Sequence, residues 1–260
     1  MLNAETPPSI LSKSFDLLHA FNARERVMTL SELSRASGLP KSTVHRLLAR
    51  LIEVGAIEHH GGGYKLGLGL LRLGSAIPAA AMRDSAMPHL AALHGWTGHS
   101  VYLGVLRQFD VVFLEKVARH SEWYDRSGVG GRMPASCTAI GKALLAHENL
   151  ADLAALLPDP MPALTPDSVT DACALVAELR TVRQDGLARS CGEARPGVAC
   201  IASPVLVNGF AVGAISVAYP VGANLDPRTG TVLRDATAQL ARELRAGLSN
   251  GRAAWLPRQA

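Results

Sequence analysis

Residues Thr29–Val54 read TLSELSRASGLPKSTVHRLLARLIEV, and the order of signals in this stretch decides the architecture of the first part of the chain. Thr29 and Glu32 have the Thr-x-x-Glu spacing of a capping box, in which a hydroxyl and a carboxylate satisfy each other's backbone N–H groups at a helix start. Leu30, Leu33 and Ala36 give that helix an apolar side, Gly38 stops it, and Pro40 suits the first turn of the next. The second helix is predicted from Pro40 to Val54. At about 100° per residue, Val44, Leu47, Leu48 and Leu51 fall on one stripe. The opposite side carries Ser42, His45, Arg46, Ala49 and Arg50, with Thr43 at the flank and Lys41 at the helix start.

A recognition helix needs small residues near its N-terminus for close approach, and Arg or His to reach base edges and phosphates. An ordinary surface helix whose arginines stay solvated fits the same face, so the helix alone does not decide. Its neighbours do. A short capped helix and a Gly-containing turn precede it. A hairpin follows, with Gly55-Ala56-Ile57-Glu58 leading to a tip at Gly61-Gly62-Gly63 and returning through Tyr64-Lys65-Leu66. Together they predict a winged helix-turn-helix that binds double-stranded DNA. The candidate DNA contacts are Lys41, Ser42, Thr43, His45, Arg46, Arg50 and, on the wing, Lys65. His59-His60 lacks a carboxylate or cysteine at ligand spacing and is expected to be solvated, with no metal bound.

Composition fits this picture. Of 260 residues 48% are hydrophobic and 18% charged, as in globular chains. The net charge is +4, and residues 1–75 hold +3 of it, nine Lys/Arg against six Asp/Glu. The basic excess therefore sits where phosphate contact is expected. Cys137, Cys173, Cys191 and Cys200 show no metal or disulfide spacing, and Met1–Leu18 lacks a signal-peptide layout, so a cytoplasmic protein is expected. Residues Pro196–Leu225 carry no charge and are long enough to span a bilayer, but Pro204, Asn208-Gly209 and Pro220 interrupt them. Two buried strands joined by an Asn-Gly turn explain the stretch better than a membrane segment.

Around this unit the periodicity predicts a helix over Ser9–Phe21 and a linking helix over Leu68–Met82. Beyond lie a hairpin at His99–Leu106 and Asp110–Val117, and helices at Thr138–His147, Ser168–Gln184 and Arg228–Leu248. Strands are predicted at Leu187–Ser190, Val198–Val207 and Phe210–Ala218. The fold class is α+β. The expected domains are residues 7–67, a linker helix over 68–82, and an α/β domain over 83–250.

The chain resembles the IclR family of bacterial transcription regulators over essentially its full length. Three ordered motifs carry the resemblance. The first is LPKSTVHRLLARLIEVGAIE with GGGYKLGLGLLRLG, and the second is Gly131–Ala146, GRMPASCTAIGKALLA. The third is Glu193 with Gly197–Val205, GVACIASPV. The resemblance implies a GAF-like C-terminal domain that binds a small effector, often an organic or aromatic acid, and a homodimer or tetramer. It implies a ligand-responsive regulator, read here as a repressor. The effector residues carried over are Thr138, Ala139, Cys200 and Ser216, with Val198 as apolar lining and Leu103 on the first hairpin. Ser190 stands where some members have an acidic residue, which leaves the effector's polar partner open. The Ser136-Cys137-Thr138 run before a helix offers a place for a carboxylate, or else caps its own helix.

Enzyme readings fail on their residues. Ile140-Gly141-Lys142 looks like part of a P-loop, but Ser136 and Ala143 replace its glycine and its hydroxyl. No G-x-S-x-G elbow is present, and neither Cys137 nor Cys200 has an identifiable His partner in the sequence. Glu193 and Arg195 read as a salt bridge or pocket rim before a catalytic pair. No catalytic residue and no cofactor are expected. A protein-contact module using the winged domain is the remaining rival, and it predicts no steep salt dependence of DNA affinity.

Overall fold

A computed structural model describes residues 9–21, 25–118 and 127–249. The chain divides into two compact units at Ile77/Pro78. In the first unit, α1 (Ile10–His19), α2 (Leu30–Ser37) and α3 (Lys41–Glu53) precede a hairpin of β1 (Ile57–His60) and β2 (Gly63–Leu66), and α4 (Gly69–Ser75) ends it. The predicted capping box forms at α2. Thr29 N–H donates to the Glu32 carboxylate at 2.8 Å, and the Thr29 hydroxyl accepts from Glu32 N–H at 3.3 Å. Gly38 ends α2 at φ 70°, the left-handed conformation for which a residue without Cβ is suited. Val44, Leu47, Leu48 and Leu51 are all buried with Leu17, Leu33 and Ile57, so the apolar stripe of α3 is the core of this unit.

The hairpin pairs Ile57 with Leu66 and His60 with Gly63, and Met28 adds a short third bridge to Tyr64. A Cβ at Gly67 or Gly69 would run into the Gly55 carbonyl, which is why this return carries glycines. The single linking helix expected over Leu68–Met82 is two helices. The first is α4; the second, α5 (Pro78–Thr97), opens the second unit at a proline, which suits a first turn.

The second unit is an antiparallel sheet of six strands in the order β5-β4-β3-β8-β7-β6. The strands are β3 (Ser100–Arg107), β4 (Asp110–Val117), β5 (Arg132–Pro134), β6 (Ala188–Cys191), β7 (Val198–Val207) and β8 (Phe210–Pro220). α5 and α9 (Thr229–Ser249) cover one face, burying Met82, Leu90, Leu93, Leu233 and Leu240. α6 (Ala139–Leu145), α7 (Leu150–Leu156) and α8 (Ala172–Asp185) cover the other. Both faces of β3, β7 and β8 are therefore buried, so their side chains run continuously apolar instead of alternating. This accounts for the charge-free Pro196–Leu225 stretch without a membrane. Among the described residues no helix is long and apolar enough to cross one. Pro204 lies beyond the end of β6, where β7 becomes an edge and a missing N–H is tolerated.

Candidate functional site

On α3, Lys41, Ser42, His45, Arg46 and Arg50 are exposed and Thr43 is half-buried. All six contact candidates on this helix thus lie off its buried stripe. Arg50 leans on Glu53 at 2.8 Å, and Lys65 on Glu58 at 3.2 Å across the hairpin. Exposed pairs of this kind are screened by solvent and hold weakly, so a phosphate can displace either carboxylate. His59 and His60 are exposed, and the His59 ring packs on Tyr64 at 5.0 Å between centroids. Among the described residues no group of His, Cys, Asp or Glu is placed to hold a metal ion.

In the second unit a cavity of about 640 Å³ opens between the sheet and α6. Thr138, Ala139, Val198, Cys200 and Ser216 all line it, although they come from one helix start and two strands distant in sequence. Register explains the meeting: β8 lies between β3 and β7, so Ser216 is flanked by Tyr102 and Ala202, with Cys200 opposite Ala218. Leu103 does not belong with them. It is fully buried on the other face, in the layer with Met82 and Leu90. Successive strand residues point to opposite faces, so its neighbour Tyr102 is the one that reaches the cavity. Tyr102, Phe113, Met133, Ser190 and Arg195 are also among its lining residues. Tyr102 and Phe113 meet edge to face at 5.7 Å.

The Thr138 hydroxyl accepts from Gly141 N–H at 2.9 Å, so it caps its own helix, and α6 is only seven residues long. Gly141 is required there, because a Cβ would land on the Ala135 backbone. Burial pushes the Cys200 thiol up to about 12, opposed by a hydrogen bond with Ser190 and reinforced by the charge of Glu193. Cys200 is therefore a neutral thiol, not a nucleophile.

Behind the wall, Lys142 is 1% exposed and its ammonium donates to Glu193 at 2.8 Å and to Glu178 of α8 at 2.9 Å. The loop carrying Glu193 is pinned further by the Thr165 and Ser168 hydroxyls, which donate to the Glu193 carbonyl at 3.1 and 2.8 Å. The Glu193–Arg195 pair considered from sequence is thus split: Glu193 binds Lys142, and Arg195 lines the cavity. Lys142 gives no signal in the sequence as an ion-pair residue, because its partners lie 36 and 51 residues away.

The helix-turn-helix model of the IclR family matches residues 10–61, and the model of the bacterial transcriptional regulator IclR C-terminal domain matches residues 75–244. The HTH-type transcriptional regulator BhcR of Paracoccus denitrificans is 32% identical, over 92% of this chain and 87% of its own. The glycerol operon regulatory protein of Streptomyces griseus is 33% identical, over 91% of this chain and 96% of its own. Among solved structures, an IclR homologue from Microbacterium hydrocarbonoxydans complexed with 4-hydroxybenzoate has a TM-score of 0.79 at 30% identity, covering 92% of this chain and all of its own. The chain therefore belongs to the IclR family of bacterial transcriptional regulators, proteins that bind DNA through a helix-turn-helix and are not enzymes.

Proposed function

We propose that the cavity receives a small organic acid of the aromatic class and that its occupancy controls the hold of the winged unit on operator DNA, the protein acting as a repressor in the cytoplasm. The observation that carries this reading is the convergence of Thr138, Ala139, Val198, Cys200 and Ser216 on one cavity of about 640 Å³ with mostly apolar walls. That volume suits a small ligand. The homologue complexed with 4-hydroxybenzoate supports the aromatic class. The DNA contacts are Lys41, Ser42, Thr43, His45, Arg46, Arg50 and Lys65.

The working form is a homodimer or tetramer. Ile10, Leu11 and Phe15 of α1 and Leu68, Leu71 and Leu73 at α4 are each at least 60% exposed, which supports a second copy as cover. Two recognition helices would then enter major grooves about 34 Å apart. The segment linking them to the 83–250 domain, over 68–82, transmits the effector signal. A coupling of about 1–3 kcal/mol changes DNA affinity roughly 5- to 150-fold.

The test is anisotropy of a labelled promoter duplex titrated with aromatic acids. Wild-type protein should release DNA within that range, whereas Thr138→Ala with Ser216→Ala should bind DNA and no longer release it. Unchanged release by the double variant would refute the assignment.

A further inference from the structure

The cavity wall is built in two different ways. Tyr102, Cys200 and Ser216 stand on strands and Ala139 on α6, where ladder or helical hydrogen bonds fix the backbone. Ala163, Leu164, Ala194 and Arg195 also line it, and they lie in two connections that carry neither helix nor strand, one between α7 and α8 and one between β6 and β7. Segments of this kind keep their shape through the side chains that fasten their backbone groups.

Those fastenings come from behind the wall. The Ser168 hydroxyl accepts from the N–H groups of Leu164 and Thr165 at 3.0 and 3.1 Å and donates to the Glu193 carbonyl at 2.8 Å. The Thr165 hydroxyl lies 2.9 Å from the Gly192 carbonyl and 3.1 Å from that of Glu193, and shares its one hydrogen between them. The two connections are thereby stitched to each other. Lys142 ties the stitched pair to the helices, since its ammonium donates both to Glu193 and to Glu178 of α8. A hydrogen bond with ionised partners is roughly twice as strong as a neutral one, and at 1% exposure water does not compete for this ammonium. Beside Ala163, the Cys137 thiol donates to the Pro162 carbonyl at 3.3 Å. Lys142, Thr165, Ser168 and Glu193 all stand outside the described lining, yet Leu164 and Ala194 are the chain neighbours of Thr165 and Glu193.

We infer that Lys142 is a positioning residue of the cavity: through Glu193, and with Thr165 and Ser168, it clamps the 163–168 and 192–198 segments into one wall, so that ligand affinity is set in part by side chains that never touch the ligand. This rests on the cavity being the effector site, and adds what holds its loop-built half in place.

Hydrogen exchange read by mass spectrometry and calorimetry with 4-hydroxybenzoate, both on the full chain, test the clamp. Thr165→Val and Glu193→Gln should each speed exchange at least about fivefold in 163–168 and 192–198 together, and leave β8 within about twofold. Each should weaken 4-hydroxybenzoate by about 3- to 10-fold. Thr237→Val is the control. It removes a buried hydroxyl pair of 3.0 Å with Ser203 under α9, on the opposite face. It should lower the Tm and leave both segments and the ligand within about twofold of wild type. Lys142→Met should loosen both segments and weaken the ligand. Adding Glu193→Gln should then restore part of the stability and none of the affinity, because it removes the stranded charge without rebuilding the tie. The inference is overturned if either single variant loosens only its own segment, or loosens both with affinity unchanged. It is likewise overturned if Thr237→Val weakens the ligand as much, or if affinity returns with stability in the double variant. If wild-type protein does not bind 4-hydroxybenzoate, the aromatic-acid reading falls, and the clamp stands or falls on the exchange result alone.

Discussion

Replacing Lys142 by Met should be the most damaging single change in the second unit that alters little volume. Its ammonium is 1% exposed and lies 2.8 Å from Glu193 and 2.9 Å from Glu178. Two unit charges about 3 Å apart attract by roughly 5 kcal/mol at an effective dielectric of about 20, but desolvation of both ions consumes much of that. The decisive quantity is what the substitution leaves behind. The Glu193 side chain, only 10% exposed, loses its cation and stays buried. Breaking a buried pair in this way costs about 3–5 kcal/mol. Glu178 is 34% exposed and solvent-screened, so its share adds at most about 1 kcal/mol. For a unit of this size the loss corresponds to a fall in Tm of roughly 6–20 °C.

The pH dependence follows from the same groups. Burial raises the Glu193 carboxyl above its ordinary 4.5, and Lys142 pulls it down. Without Lys142 that pull disappears and the folded-state value rises further. A carboxyl raised by folding contributes stability that is fully present below its ordinary value and is lost as pH rises through the folded value. The deficit of Lys142→Met should therefore be largest at neutral to alkaline pH and shrink as the pH falls toward the ordinary carboxyl value of 4.5. Adding Glu193→Gln should recover part of the deficit at neutral pH, because the stranded charge is gone. Thermal unfolding followed by circular dichroism across that range measures both effects. A variant melting within about 2 °C of wild type at neutral pH, or a deficit indifferent to acidification, would show that no stranded charge is at work.

Two further outcomes are expected. Arg46→Ala should weaken binding to the protein's own promoter by about 1–3 kcal/mol and spare random duplex, measured by anisotropy at fixed salt; an equal loss on both would make Arg46 a phosphate contact. Gly141→Ala should destabilise the second unit by about 1–3 kcal/mol in a thermal melt, because its Cβ meets the Ala135 backbone, which has no rotamer by which to retreat. Melting at the wild-type temperature would show that the Ala135 turn yields.

The winged unit is legible residue by residue. Its capping box, its Gly38 stop and the Val44–Leu51 stripe all follow from spacings within one or two helical turns, and each forms as the spacing predicts. The linking helix is not, because its boundary depends on Pro78, which periodicity over Leu- and Ala-rich residues does not see. The cavity is legible only where a motif marks it. Motif resemblance points to Leu103 and passes over Tyr102, an error of one position that in a strand exchanges the two faces.

Local patterning and ordered motifs along the chain are enough to specify the DNA-reading unit, the two long strands around Asn208-Gly209 and the family. Only the packed sheet settles which face of β3 looks into the cavity, that Lys142 meets Glu193 and Glu178, and that Arg195 lines the cavity. Those facts depend on strand order in a sheet covered on both faces. There the continuous apolar run that makes a strand recognisable also erases the alternation that would reveal which way each side chain points.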